Sequence, residues 1–268
     1  MDGRKRMRAG VKSLLLALLC GGAACAHAGE PETVTVCFER QDVKPWRTEQ
    51  GGGLNFELLK LVEQRLAIHF DFQSVPWKRC LAQLQANAYD GAFAVSYKPD
   101  RRELGVYPGT ADGGEQVDVS KRMHIDRYVL LRKKGSRVDW DGKVLRNVDG
   151  PVGFQLGYSI GDMLRAQHVD VDEGSQRADE LARKLIAGRL AAAAMGGSDA
   201  HSVMSGPMAS QLEMLPLPLT EKPYFLVLSH AMVAKRPELA QRIWRATEQV
   251  RNSPAYKKIE RAALEGAR

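Results

Sequence analysis

From Val34 onward short apolar runs alternate with amphipathic stretches, and beyond a loop rich in Gly and Asp the same alternation begins again. This order marks parallel strands covered by helices, because a crossover between parallel strands must carry the chain back along the sheet. Val34 to Phe38 reads as a strand, and Leu58, Leu61, Val62 and Leu66 recur at helical spacing. Ile68, Phe70 and Phe72 alternate with His69, Asp71 and Gln73, a half-buried strand. Pro76 opens a helix with Trp77, Cys80, Leu81 and Leu84 on one face, and Ala92 to Val95 is a third strand. After the loop, strands are expected at Tyr128 to Leu131, Val152 to Phe154, Leu190 to Met195 and Tyr224 to Leu228. Helices should fall near Ser159 to Ala166 and Arg177 to Ala187, the second stopped by Gly188. Pro237 starts a helix whose face is Ala240, Ile243, Trp244 and Thr247, and Ser253-Pro254 caps a last one. Two α/β units in one chain predict two lobes, crossed near 109–126 and at Leu215 to Pro223. The expected division is 29–122 for the first part of lobe 1, 123–222 for lobe 2, and 223–268 for a return segment whose helices pack on lobe 1.

Residues 1–28 stand outside this grammar. Arg4, Lys5, Arg6, Arg8 and Lys12 form a charged leader, Leu14 to Cys20 an apolar core, and Ala26 and Ala28 a peptidase site, so this segment reads as a cleaved signal peptide. The apolar core is too short for a stable membrane span. Lipid attachment at Cys25 is the alternative, but Gly22-Ala23-Ala24-Cys25 lacks the branched apolar residue usual there. The mature protein is expected to begin near Gly29 and to be soluble in the periplasm.

The leader holds five Lys/Arg and one Asp, so its removal takes the formal charge from +7 to +3. A mildly basic surface without a basic stripe and interleaved aromatics gives no reason to propose nucleic acid as partner. Cys37 and Cys80 remain as an even pair in a compartment where disulfides persist. Their expected positions in the first strand and the second helix suit a bridge; two separate buried thiols are the alternative. Two cysteines without a histidine cluster argue against zinc, and no cofactor is expected. The chain has no phosphate loop with Gly-Lys-Ser/Thr and no His-Glu-x-x-His helix. Gly51-Gly52-Gly53 lacks the following lysine of a phosphate cradle and reads as a flexible lip.

Six segments in order carry a resemblance: Gly53-Leu54-Asn55-Phe56-Glu57-Leu58-Leu59, Pro76-Trp77-Lys78-Arg79-Cys80-Leu81, Tyr89-Asp90-Gly91-Ala92-Phe93, Ser96-Tyr97-Lys98-Pro99-Asp100-Arg101, Val152-Gly153-Phe154-Gln155-Leu156-Gly157-Tyr158-Ser159, and Glu221-Lys222-Pro223-Tyr224-Phe225. Together they resemble the type II periplasmic solute-binding proteins, family 3, whose members bind amino acids and similar polar solutes. The resemblance implies an α/β, two-lobed type II fold with a ligand cleft between the lobes, closing like a hinged clamp. It also implies a small-molecule solute, delivery to an ABC transporter permease or a membrane sensor, and a monomer.

The resemblance places Arg101 where a ligand carboxylate is clamped, a role suited to the parallel donors of a guanidinium; Arg102 beside it is the lesser candidate. On that reading Arg101→Ala abolishes binding and leaves stability almost unchanged. Tyr158 and Ser159 open a helix, where Ser159 either faces an anionic ligand or serves as the N-cap. Trp46, Trp77, Ser96, Tyr97 and Tyr224 are further cleft candidates, with Trp77 equally readable as helix core. Glu39 offers a carboxylate to a ligand ammonium or to a surface ion pair. One departure from the family pattern concerns the aspartate that pairs with a ligand's α-ammonium: Gly188 to Gly197 carries no acid, and the first one is Asp199. The rival reading is an enzyme on the same scaffold, similar to exported cyclohexadienyl dehydratases, with Glu39 or Glu173 as proton donor.

Overall fold

The computed structural model describes residues 31–111 and 113–266. The segment expected to be a signal peptide, with Cys20 and Cys25, lies outside the described residues.

The first lobe begins with strand β1 (Glu32–Glu39), helix α1 (Leu54–Leu66), β2 (Ile68–Val75), α2 (Trp77–Gln85) and β3 (Gly91–Ser96). The second contains β4 (His124–Lys133), a small hairpin of β5 (Asp139–Trp140) and β6 (Leu145–Arg146), β7 (Val152–Gln155), α3 (Ile160–Ala166), β8 (Val171–Ser175), α4 (Ala178–Ile186), β9 (Ala192–Gly196), α5 (Gly197–Met204) and β10 (Leu212–Met214). Strand β11 (Thr220–Leu228) then returns to the first lobe, followed by α6 (His230–Lys235), α7 (Pro237–Arg251) and α8 (Pro254–Gly266).

Strands β1, β2 and β3 pair in parallel, as do β7, β8 and β9, while β4 and β11 run antiparallel to their neighbours. The order β2-β1-β3-β11-β4-β9-β7-β8 makes one hydrogen-bonded path through both lobes. Tyr224 of β11 stands opposite Ser96 of β3 on one side and His124 of β4 on the other. That residue is where the two parallel sheets are joined.

Each lobe is layered because alternate strand residues face opposite helices. In the first, Val34, Val36 and Phe38 pack with Leu58 and Leu59 of α1 and with Ile243 and Trp244 of α7. The intervening Cys37 packs on the other face with Cys80 and Leu84 of α2. In the second, Tyr128 and Leu130 join Phe154, Ile160 and Leu164, while Val129 and Leu131 join Leu181 and Leu185. A fully buried Trp244 donates its indole N–H to Leu226 O at 2.9 Å, so α7 is fixed to the return strand.

The expected strands and helices are present with shifted ends: β4 begins at His124 rather than Tyr128, and β11 at Thr220 rather than Tyr224. The expected Leu190 to Met195 strand starts only at Ala192. Six elements were not anticipated: β5 and β6 of the hairpin, β8, α5, β10 and α6. Their sequences carry weak periodicity; α5, for example, buries only Asp199, Ala200 and Val203. Gly188 does follow the end of α4 in a left-handed conformation, φ 73°. The Ser253 hydroxyl accepts from Tyr256 N–H at 3.2 Å, as a cap for α8.

Cys37 and Cys80 are bonded, with Cα atoms 5.6 Å apart, tying β1 to the first turns of α2 across a separation of 43 residues. Chain-entropy arithmetic for such a loop gives about 4 kcal/mol of stabilisation, acting mainly on the unfolded state. A Cys37→Ala/Cys80→Ala protein is therefore expected to lose up to about 4 kcal/mol in chemical denaturation. Detection of two free thiols in the oxidised wild-type protein overturns the bridge.

Candidate ligand-binding cleft

The cleft wall in the first lobe starts with a loop that α1 holds in place. Gly53 precedes α1 with φ 103°, and a Cβ there would stand 2.8 Å from Trp46 C, Trp46 O and Arg47 N. That approach lets Leu54 N–H reach Pro45 O and Asn55 N–H reach Trp46 O, each at 2.9 Å. The first helical donors thus find acceptors in the loop itself, and the loop is fixed with Trp46 and Arg47 facing the cleft. Gly53, expected to be part of a flexible lip, is a fixed contact point. Gly53→Ala combines a positive φ with a backbone clash, so it is expected to displace the loop and weaken ligand affinity more than it lowers the melting temperature, as read by paired titration and thermal unfolding.

At the junction of the lobes lies a cavity of about 540 Å³ including its open mouth. Trp46, His124 and Tyr224 form a stack along it, with centroid separations of 4.1 Å and 4.8 Å and interplanar angles of 14° and 7°. Burial, followed by the charge of Arg47, holds the His124 imidazole down to about 3, so it is neutral at pH 7. Trp77 and Tyr158 line the same space. Ala94 contributes a left-handed residue, φ 57°, where β3 and β11 shift register. This local strain turns the strand beside the cavity.

The charged groups form two sets. Arg47 and Arg101, 8% and 3% exposed, line the cavity, and among the described residues neither has a carboxylate within 4.0 Å. The Arg101 guanidinium donates to Ser96 O at 2.9 Å, Ser96 Oγ at 2.8 Å and Gly157 O at 2.8 Å, and its carbon lies 5.7 Å from the Trp77 ring centroid. Asp126 and Asp199 are the acids. Asp199 accepts from Gln155 Nε2 at 2.9 Å, and Asp126 from Arg127 N–H at 2.8 Å. Burial pushes Asp199 up; burial, with the nearby Asp199 charge, pushes Asp126 up to about 6.

Contacts between the lobes close the site. Besides the Arg101 bond to Gly157 O, Ser96 Oγ meets Ser159 Oγ at 2.8 Å and Lys98 Nζ reaches Asp162 at 3.0 Å, while at the lobe boundary Lys222 Nζ reaches Ser159 O of its own lobe at 3.3 Å.

Of the residues singled out in the sequence, Trp46, Trp77, Ser96, Arg101, Tyr158, Ser159 and Tyr224 meet at this cavity. Ser159 makes no side-chain cap: its backbone is already helical and its hydroxyl crosses to Ser96. Tyr97 turns away and packs edge-on against Tyr107 at 5.2 Å. Arg102 donates to Gly114 O at 3.2 Å. Glu39 lies outside the cavity lining because the N–H groups of Trp77 and Gln41 occupy its carboxylate at 3.0 Å and 3.2 Å, making it the acceptor at the start of α2. Glu173 pairs with Arg165 at 3.4 Å on the surface. The sequence reading missed Arg47, His124, Asp126 and Tyr128. Asp199, the first acid after the Gly188 to Gly197 stretch, reaches the cavity because α5 follows β9 without a loop.

The profile of the bacterial extracellular solute-binding proteins, family 3, matches residues 38–265. The chain belongs to that family. Its fold is similar to that of an ancestral arginine-binding protein bound to arginine, at 17% identity over 87% of this chain and 99% of the other, with a TM-score of 0.68. The GluR0 ligand-binding core from Nostoc punctiforme in complex with L-glutamate is similar at 13% identity, over 86% and 98% of the chains, with a TM-score of 0.67. A histidine kinase sensor domain with similarity to periplasmic binding proteins gives 15%, 88%, 97% and 0.68. A comparison with curated protein sequences finds no match. Among the described residues no helix is long and apolar enough to cross a membrane.

Asp126 carries a testable electrostatic cost. A carboxyl raised from 3.8 to about 6 on folding favours the folded state below its unfolded value, and that support is lost as pH rises through about 6. Asp126→Asn should therefore raise the melting temperature of unliganded protein at pH 7.5 relative to wild type and not at pH 4, with a gain of at most about 3 kcal/mol, reduced by solvent at the cavity mouth. An equal gain at both pH values overturns this reading of Asp126.

Proposed function

We propose that this is a periplasmic solute-binding protein that captures a small, amino-acid-like solute between its lobes without transforming it. The observation that carries the reading is the meeting, in one aromatic-lined cavity, of Arg101 without a carboxylate partner and the acid pair Asp126 and Asp199. Arg101 receives the solute carboxylate, and the neighbouring Lys222, its pKa lowered by burial and by the Arg101 charge, adds positive potential on that side. Asp199 and Asp126 receive the ammonium, the role for which the sequence offered only Glu39. Trp46, Trp77, Tyr158 and Tyr224 cover the apolar part.

The proposed lobe boundaries fall near 122/123 and 222/223, with residues 1–28 removed on export. Closure is the state that a partner recognises: an ABC transporter permease or a membrane sensor reads the closed form of a monomer. A ligand that touches Arg101 and Ser96 on one lobe, and Ser159 and Asp199 on the other, favours that form by its differential contacts.

The test is a thermal-shift series of the mature protein with amino acids, organic acids and amines, followed by mass spectrometry of the added compound. A rise in melting temperature with the compound recovered unchanged supports binding; conversion of the compound supports the dehydratase-like alternative. Arg101→Ala is expected to abolish the ligand-induced rise. Because Arg101 is buried and makes three hydrogen bonds, the same change should also lower the unliganded stability by about 1–3 kcal/mol, in contrast to the sequence expectation of almost no change. A full ligand shift retained in this variant overturns the assignment of Arg101.

A further inference from the structure

The least satisfied charged group in the cavity is Arg47. Its Nε donates to Glu39 O at 3.1 Å, and among the described residues its two terminal nitrogens make no hydrogen bond and meet no carboxylate within 4.0 Å. The residue is nevertheless 8% exposed and lines the cavity. Its charge is felt by His124, Tyr158 and Asp199, which surround the cavity from β4, the α3 turn and α5. A guanidinium taken largely out of water without an anion is costly, and it is held there by the backbone of the 43–47 loop locked on Gly53.

The acids present do not balance it. Asp199 and Asp126 each accept hydrogen bonds from the protein, from Gln155 and from Arg127 N–H, and neither lies within 4.0 Å of the Arg47 guanidinium. Arg47 thus faces the cavity with no carboxylate of the described residues within ion-pair distance, while the two acids are held by other donors. A solute with one carboxylate and one ammonium, held by Arg101 and the acids, leaves the terminal nitrogens of Arg47 unpaired; a solute with a second carboxylate pairs them.

We propose that Arg47 is a second anion-binding group and that the solute is an acidic amino acid, bearing one ammonium and two carboxylates. Arg101 takes one carboxylate, Arg47 the other, and the acid pair the ammonium. This rests on the binding function proposed above and narrows it to one charge class.

Calorimetric titration of the mature protein at pH 7.5 with L-glutamate, L-aspartate, L-glutamine, L-asparagine and L-arginine tests it, since each acid and its amide have nearly the same shape. One of the acids should bind at least about tenfold more tightly than its own amide, the scale expected for a charged hydrogen-bonded partner. In Arg47→Met the acid-to-amide affinity ratio should fall by about tenfold, and Arg47→Lys should retain part of the preference. Circular dichroism shows which variants fold; if Arg47→Met does not, the comparison of Arg47→Lys with Arg47→Gln carries the same readout. Amides binding as tightly as the acids, L-arginine binding most tightly, or a ratio insensitive to Arg47 overturns the proposal. If a neutral or basic amino acid binds in a manner that depends on Arg101, the binding function stands and only the Arg47 role falls. If none of these solutes binds, the amino-acid-like reading falls with it.

Discussion

The antiparallel pairing of β11 with both β3 and β4 is the constraint on which the rest depends. A parallel βα sheet ends where its last strand runs out of partners, and each lobe alone would leave an open edge. Here the return strand supplies that partner to both lobes, and Tyr224 sits opposite Ser96 and His124 at the point of exchange. Backbone hydrogen bonding thereby sets three cavity residues side by side without any contribution from their side chains. The stack of Trp46, His124 and Tyr224 is then built on a ladder position, and a neutral buried imidazole is the histidine form that packs there at least electrostatic cost.

The same junction explains why the proposed binding groups are expensive to the fold. Strand ends meeting at a crossing have side chains that point toward the opposing lobe, so any ionisable group there loses water on closure. Asp126, Asp199, Arg47 and Arg101 all bear that cost, and the protein offsets it in part with Gln155, the Arg127 N–H and the carbonyls of Ser96, Gly157 and Glu39. Hydrophobic packing on four sides of the two sheets, together with the Cys37–Cys80 bond, carries the stability that this site reduces.

The periodic elements were legible because their burial is repetitive. Val34, Val36 and Phe38 alternate against Cys37, and Leu58, Leu59 and Val62 repeat on one helical face, so the local pattern reports the layer. Arg101, Ser159 and Tyr224 were legible from motif order. The rest was hidden for physical reasons. Arg47 lies in an irregular loop whose path is set by Gly53 and by helix donors, features without a period. Asp126 and His124 sit in a segment read as a crossing loop, because β4 gains its first residues only by pairing with β11. Glu39 looked available because a carboxylate after a strand has no visible partner in one dimension, and its partner is the backbone of α2.

Direct bonds between the lobes bear on how closure acts as a signal. Arg101 to Gly157, Ser96 to Ser159 and Lys98 to Asp162 hold the closed arrangement through the protein's own groups. Lys98 and Asp162 are solvent-facing and contribute little, whereas the Ser96 and Arg101 contacts are buried and worth more. A solute adds to these contacts only by what it gains in the closed form over the open one, so the buried charges are the effective lever: each exchanges water for protein when the lobes meet, and each recovers that loss through an opposite charge on the solute. On the proposed reading affinity and closure arise from the same groups, and a solute that leaves one of them unmatched is expected to bind less well and to close the lobes less completely.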